Sequence, residues 1–291
     1  MRPRRLALAT YRRLPEMAPD DRLLIPALAA LGITAEPLVW DDGAAQWGEL
    51  HAVVLRSCWD YHLRLGEFLE WLEGLEQRGI PVLNPPALVR WNTDKSYLLD
   101  LAARGVAIVA THRVPRGTIT SLSSVLDQLE TDEAVVKPAV SASAHATWRT
   151  SQVQAEGDDE RFRTLVAAGD VLVQPLVRAI AESGEWSLVC FGGAASHAVL
   201  KRPAAGDWRV QAELGGSAEL CPAPAALVQG AGRVLAAARA EGSAYARVDG
   251  YLENDALVLM ELELIEPQLF LELESRAPER FARAIAAALR W

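Results

Sequence analysis

Cysteine is scarce in this chain: Cys58, Cys190 and Cys221 are odd in number and scattered over 291 residues. That pattern indicates neither a disulfide framework nor a zinc site. The five histidines are equally dispersed. No apolar run approaches the roughly 20 residues of a membrane span, and residues 6–10 are too short for a signal-peptide core, with Arg12 and Arg13 interrupting it. The chain has no G-x-G-x-x-G fingerprint, P-loop, internal repeat or low-complexity tract. A net charge of −9 with no long basic stretch argues against nonspecific nucleic-acid binding. These absences leave a cytoplasmic protein with neither membrane nor nucleic acid as an expected partner. Its composition is 51% hydrophobic and 23% charged, and its length suffices for two or three lobes with cores of their own.

What is present begins as an alternation of strands and helices. Strands are expected at 6–10, 34–40 and 52–56, the last apolar up to a closing Arg56, as in a strand covered on both faces. A helix is expected at 21–31, capped by Asp20 and ended by Gly32, and another at 65–77, stopped by Gly79. Residues 80–83 return to the sheet, so the order implies a doubly wound parallel α/β lobe ending near residue 84. A helix capped by Asn92 or Thr93 and running to about Arg104 carries Lys95 in its first turn. The helix dipole disfavours a cation there unless an anion joins it; a solvated surface lysine is the plainer alternative.

The apolar strand 134–136 closes on Lys137, ahead of a loop, 139–147, built of small residues. Such a loop lets backbone N–H groups approach a phosphate, although a flexible linker has the same composition. A strand at 171–174 kinks through Pro175, Leu176 and Val177, and antiparallel strands at 185–191 and 196–200 join at Gly192-Gly193. Lys201, Arg202 and Arg209 then fall within nine residues, which in so acidic a chain marks either an anion site or a solvated basic rim. Helices at 224–241 and 278–290 complete the last lobe.

Between those helices lies an acidic hairpin, 246–251 and 258–264. Glu261 and Glu263 are two apart on a strand and share a face, while Leu262 and Leu264 turn to the core. A three-residue loop places Asp249 opposite Glu261 and Arg247 opposite Glu263. A two-residue turn at Asn254-Asp255 puts Asp249 on the other face and breaks the cluster. Three carboxylates beside one arginine repel one another without a cation. Hard oxygen ligands of this kind suit Mg2+ or Mn2+ together with substrate phosphates; ordinary surface acids are the alternative.

Lys95, Lys137, the hinge around Gln174, the run 206–211, and Asp249 with Glu261-x-Glu263 follow one another in an order that resembles the ATP-grasp superfamily. The resemblance spans about 84–275 and is to the glutathione-synthetase-like and ribosomal-protein-glutamate-ligase-like branch. The phrases at 56–61, 91–95 and 137–142 look most like the small ATP-grasp ligases related to the cycloserine-forming enzyme of antibiotic biosynthesis. The resemblance implies a substrate lobe at 1–84, a connecting helix and strand at 85–115, a central lid lobe at 116–178 and an antiparallel catalytic lobe at 179–291. ATP would lie between the last two.

By the same resemblance Lys95 and Lys137 contact the ATP phosphates, and adenine lies beside Gln174, Leu176 and Val177. Glu185 takes the ribose, with Glu182 competing, and Lys201 belongs to the anion site. Arg209 and Gln211 sit at the γ-phosphate and acyl-phosphate, and Lys137, Arg209 and Arg247 are the catalytic cations. Asp249, Glu261 and Glu263 hold two Mg2+ ions, with Mn2+ a substitute. Arg56 is expected to take a substrate carboxylate, since it ends the third strand, where open α/β sheets bind ligands. Asp60 lies beside it, and Arg247 is a further candidate whose plainer role is to pair with Glu263. Two departures stand out: loop 139–147 has no glycine, and Glu263 occupies a position more often Asn in this branch.

The reaction implied is phosphoryl transfer from ATP to a carboxyl, or carboxyl-like ureido, group of a small amino-acid-type substrate. An amine then attacks the acyl-phosphate, releasing ADP and phosphate, and ring closure within one molecule is one form of it. An ATP-dependent kinase and a non-catalytic nucleotide-binding module are the alternatives. Homodimers are common among such ligases.

Overall fold

Three sheets follow one another along the chain in the computed structural model, which describes residues 4–204, 206–210 and 215–290. The first contains β1 (Arg4–Thr10), β2 (Ile33–Val39), β3 (Ala52–Ser57) and β4 (Val82–Leu83), all parallel in the order β2-β1-β3-β4. Every residue of β3 is buried, as its apolar run requires. The helix Leu65–Gln77 stands where expected. The helix expected at 21–31 is instead two, Pro19–Arg22 and Leu24–Ala29. Pro26 has no N–H to return to the Arg22 carbonyl, so one continuous helix would lose that bond.

Asp20 is not the cap either. It lies inside the first of these helices, and its buried carboxylate accepts from the Glu272 N–H at 2.9 Å. Its second oxygen has no partner, and burial pushes its pKa up to about 6. The folded state therefore binds a proton that the unfolded chain lacks between roughly pH 4 and 6, and stability falls as pH rises through that window. Asp20→Asn is expected to flatten this slope and to raise stability at pH 7.5 by at most about 2–3 kcal/mol. Urea midpoints of both proteins at pH 4.5 and 7.5 test this; an unchanged slope in the variant contradicts it.

The second sheet comprises β5 (His112–Val114), β6 (Glu133–Pro138), β7 (Trp148–Ser151) and β8 (Val171–Pro175), antiparallel in the order β5-β8-β6-β7. Helices Leu122–Gln128 and Ala155–Ala168 pack on it around Leu126, Val136, Phe162 and Val173. The third sheet holds β9 (Glu185–Phe191), β10 (Ala194–Arg202), β11 (Ser217–Cys221), β12 (Tyr245–Glu253) and β13 (Ala256–Glu263), antiparallel in the order β11-β10-β9-β12-β13.

Alternation along the third sheet's strands decides its two faces. Leu188, Ala246 and Val248 pack under the helix Ala225–Ala238. Val189, Phe191 and Tyr245 point the other way, into one core with Leu6, Leu8 and Leu24 of the first sheet. The helix Ala277–Ala288 joins that shared core, with Phe281 stacked on Phe191 at 4.8 Å.

The junction after the first sheet also differs from expectation. Helices Pro86–Asn92 and Tyr97–Ala103 flank a turn that carries Lys95, so this lysine lies just before the second helix's N-cap, Ser96, and not inside a helical first turn. Asn92 is no cap; it is buried and bonds the edge of β13, donating to the Leu262 carbonyl and accepting from the Leu264 N–H, each at 2.8 Å. None of the helices among the described residues is long and apolar enough to cross a membrane.

Candidate active site

The acidic hairpin turns through two residues, Asn254 and Asp255, both with positive φ (49° and 56°), the backbone that suits a tight hairpin. By the alternation rule this turn should have separated the carboxylates. It does not, because a bulge between Asp249 and Gly250 shifts the register by one: Gly250 pairs with Leu259, but Asp249 pairs with Glu261 and Arg247 with Glu263. Met260 is the extra residue. The bulge requires glycine, since a Cβ on Gly250 would lie 2.3 Å from the Val258 carbonyl oxygen.

The consequence is a cluster in which one oxygen each of Asp249, Glu261 and Glu263 lies within 4.8 Å of the others. Arg247 donates to Asp249 from Nε (3.0 Å) and Nη2 (2.7 Å), to the Gln268 carbonyl (3.0 Å), and to Glu263. Lys95 pairs with Glu261 at 2.8 Å, and Lys201 pairs with Glu185, 3.8 Å from Asp249. Against the upward push of burial, Arg247 and Lys201 hold Asp249 below its ordinary pKa, and Lys95 and Lys137 do the same for Glu261. Glu263 is pushed up to about 7, by burial and then by repulsion from Glu261 and Asp249 that Arg247 offsets only in part. Three carboxylate oxygens that converge this closely fit a divalent ion.

These residues lie along a cleft of about 590 Å3 between the second and third sheets, with Trp59 and Tyr61 of the first lobe at one side. Lys137 closes β6 and faces the cleft; among the described residues its ammonium has no hydrogen bond or ion pair, and burial lowers its pKa. Gln174, Leu176, Val177, Glu185, Lys201, Arg209 and Arg247 line the same cleft. The Gln174 side chain donates to Thr111 (2.8 Å) and the Leu176 N–H to the Glu133 carbonyl (3.0 Å). Gly184, at φ 84°, ends the helix Ala179–Ser183 and turns the chain so that Glu185 faces the cleft, whereas Glu182 is exposed and outside it. Arg209 is held by Asp207 at 2.9 Å. Gln211 lies outside the described residues.

The glycine-free loop lines the cleft through Ala142, Ser143, Ala144 and Thr147. Ser143, Ala144 and Ala146 adopt left-handed backbone (φ 50–54°), which costs a non-glycine residue on the order of 1–2 kcal/mol. Lys95 fastens this loop twice, from its N–H to the Ala139 carbonyl (2.8 Å) and from Nζ to the Ser141 carbonyl (2.6 Å).

Two expected substrate residues are elsewhere. Arg56 is only 1% exposed and absent from the cleft wall. It donates to Asp21 (2.9 and 2.7 Å) and to the Pro267 carbonyl (2.6 Å), against the rings of Tyr245 and Phe281. Buried away from the cleft, with Nε and Nη2 spent on Asp21 and Pro267, this guanidinium does not face a substrate carboxylate. Asp60 is likewise engaged, accepting from Trp40 Nε1 (2.8 Å) and Arg64 (2.7 Å).

What Arg56 does instead is one part of a clamp that sequence reasoning missed. Residues 264–270 form no regular structure, yet six consecutive carbonyls are each bound by a side chain from elsewhere. Asn84 holds Leu264 (2.8 Å), Tyr245 holds Ile265 (2.7 Å) and Trp59 holds Glu266 (3.2 Å). Arg56 holds Pro267, Arg247 holds Gln268, and His197 holds Leu269 (2.9 Å). Glu266 and Gln268 of this segment line the cleft. The only sequence signal was a third acid, Glu266, after Glu261 and Glu263.

Three sheets in this order, with an acid cluster and lysines facing each other across the cleft, define an ATP-grasp carboxylate–amine ligase, an ATP-binding enzyme. Residues 6–84 match the family described as D-cycloserine synthetase DcsG, N-terminal domain. The cycloserine biosynthesis protein DcsG of Streptomyces lavendulae is 32% identical over 292 residues, covering 92% of this chain and 93% of that protein. The chain belongs to the DcsG family. The crystal structure of D-cycloserine synthetase DcsG matches with a TM-score of 0.88 over 98% of this chain and 99% of that one. D-alanine–D-alanine ligase from Bacillus anthracis, solved with ATP, shares the fold at a TM-score of 0.72 and 17% identity, covering 99% and 98% of the two chains.

Proposed function

We propose that this enzyme uses ATP to phosphorylate the carboxyl group of a small amino-acid-type substrate, and that a nitrogen borne by the same molecule then closes a ring. The carrying observation is the unpaired Lys137 facing the cluster of Asp249, Glu261 and Glu263 across one cleft, in a chain similar over nearly its whole length to DcsG, a protein named for cycloserine synthesis. The two lysines, Lys95 and Lys137, hold the phosphates, while the hinge at Gln174, Leu176 and Val177 borders the base. With the Leu176 N–H occupied, the base meets the Leu176 carbonyl and the Val177 backbone. Glu185 and Lys201 border the ribose side, and Arg209 approaches the γ-phosphate once it leaves Asp207. Asp249, Glu261 and Glu263 would hold two Mg2+ ions, with Mn2+ a substitute, which would offset the phosphate charge.

In the first step the substrate carboxylate oxygen bonds to the γ-phosphorus and ADP leaves. In the second the nitrogen bonds to the acyl carbon, inorganic phosphate leaves, and the nitrogen's proton passes to solvent. The protein supplies positioning and charge, with Arg247 set to stabilise the oxyanion on the acyl carbon.

Phosphate release from Mg-ATP, measured with ureido-serine, amino acids and dipeptide precursors, tests the reading. Release is expected only with a substrate offering both carboxyl and nucleophilic nitrogen, and the cyclised product is lighter than its precursor. ADP formation with an acid alone, leaving a stable phosphorylated product, would show a kinase instead. Failure to bind ATP would refute the proposal.

A further inference from the structure

Most of the charged side chains lining the cleft have an ion pair. Glu185 is paired with Lys201, Glu261 with Lys95, and Asp249 and Glu263 share Arg247; Arg209 is held by Asp207. Among the described residues, two buried or half-buried charges of the lining have no ion pair. Lys137 is the unmatched cation on the second-sheet wall, and Glu266 is the unmatched acid toward the first lobe, beside Trp59 and Tyr61. Glu266 is not among the three acids whose oxygens converge. Among the described residues it makes no ion pair and no hydrogen bond to another side chain. Burial and the neighbouring Glu263 push its pKa up to about 8, the behaviour of a carboxylate awaiting a cation.

Its backbone is also firmly held. The carbonyl of Glu266 and those of two residues before it and three after are bound by side chains from four separate stretches of chain. An irregular segment fastened at every carbonyl holds its cleft-facing side chain with little freedom, which is what orienting a substrate demands. The unmatched cation at one end suits phosphate. The unmatched acid at the other suits a positively charged group on the second substrate.

We infer that Glu266 receives the α-ammonium group of the amino-acid substrate and thereby selects amino acids over acids that lack it. This rests on the ligase reading above. Glu266 is a substrate-binding residue that sets the carboxyl of the bound molecule relative to ATP, and it takes no part in holding metal or nucleotide.

The test compares ureido-serine with 3-(ureidooxy)propanoate, the same acid without its α-amino group, in ADP release by wild type, Glu266→Gln and Glu266→Asp. Wild type is expected to prefer the amino acid by about 100-fold or more in kcat/KM, since a polar site left unpaired rejects the analogue lacking its partner. Glu266→Gln should cut that preference to within about tenfold by raising KM for the amino acid, with KM for ATP and the Mg2+ dependence unchanged. Glu266→Asp should recover part of it. Neither variant should unfold at a lower temperature than wild type, because the clamp acts on the backbone carbonyl. A Gln variant that keeps the full preference, or loses ATP affinity equally with both acids, overturns the inference while leaving the ligase reading intact. Wild type that turns over neither acid overturns both.

Discussion

Glu261→Gln is expected to lower ADP formation by about 10³-fold, roughly 4 kcal/mol of transition-state stabilisation. Glu261 is the middle member of the acid cluster and the partner of Lys95, so the amide removes a charge from the proposed ion site and a counter-charge from the lysine proposed to hold the phosphates at once. Lys95 also ties down the loop through the Ser141 carbonyl, and its release should raise KM for ATP as well as lower kcat. Raising Mg2+ should recover only a minor part of the rate, because two carboxylates remain but the lysine stays unpaired. Initial rates over a Mg2+ titration measure this. A variant within tenfold of wild type would mean that the cluster does not serve the phosphates.

Gly250→Ala should be nearly as damaging from a position that carries no chemistry. The added methyl would sit 2.3 Å from the Val258 carbonyl oxygen and 2.9 Å from Leu257 Cδ1. The first contact is with backbone, so the bulge itself must open, at a cost of about 3 kcal/mol. If the hairpin relieves the clash by losing the bulge, its two-residue turn re-imposes simple alternation, and Asp249 leaves the face of Glu261 and Glu263. Activity should then fall at least 100-fold with a lowered unfolding midpoint, both read on one preparation. Wild-type stability together with wild-type rate would show that the register does not depend on this glycine.

That bulge marks the boundary of what the sequence made legible. The shared face of Glu261 and Glu263 was readable from spacing, but the register of Asp249 was tied to a three-residue loop, and the two-residue turn expected to break the cluster is the one present. A single extra residue, Met260, cancels the parity of a two-residue turn, and nothing in local composition announces it beyond a glycine next to Asp249. The strands of the first lobe and its helix at 65–77 were legible from their apolar patterns, whereas the helix expected at 21–31 is broken into two. Arg56 was misread for a physical reason: a lone arginine at the end of a buried strand demands a partner, but whether that partner is a ligand or Asp21 and the Pro267 carbonyl depends on contacts 35 and 211 residues away. Asn92 and Asp20 were misread in the same way, as local caps, when their partners lie on β13 and at Glu272. Long-range polar pairing leaves no period in a sequence, and Glu266, whose setting consists wholly of such pairs, left the least trace.

The shared core of the first and third sheets, to which Leu6, Leu24 and Phe281 all belong, makes them one mechanical piece. The central sheet packs around residues drawn wholly from its own stretch, Val114 to Val173. The ion cluster and Glu266 therefore ride on the same rigid piece, and Lys137 on the other. The proposed acid site and the acid cluster thus share one folded interior, while the Lys137 wall of the cleft has another, so mutations in the central sheet's core can shift that wall without disturbing the acid cluster, as in a lock whose bolt and keyway are cast apart.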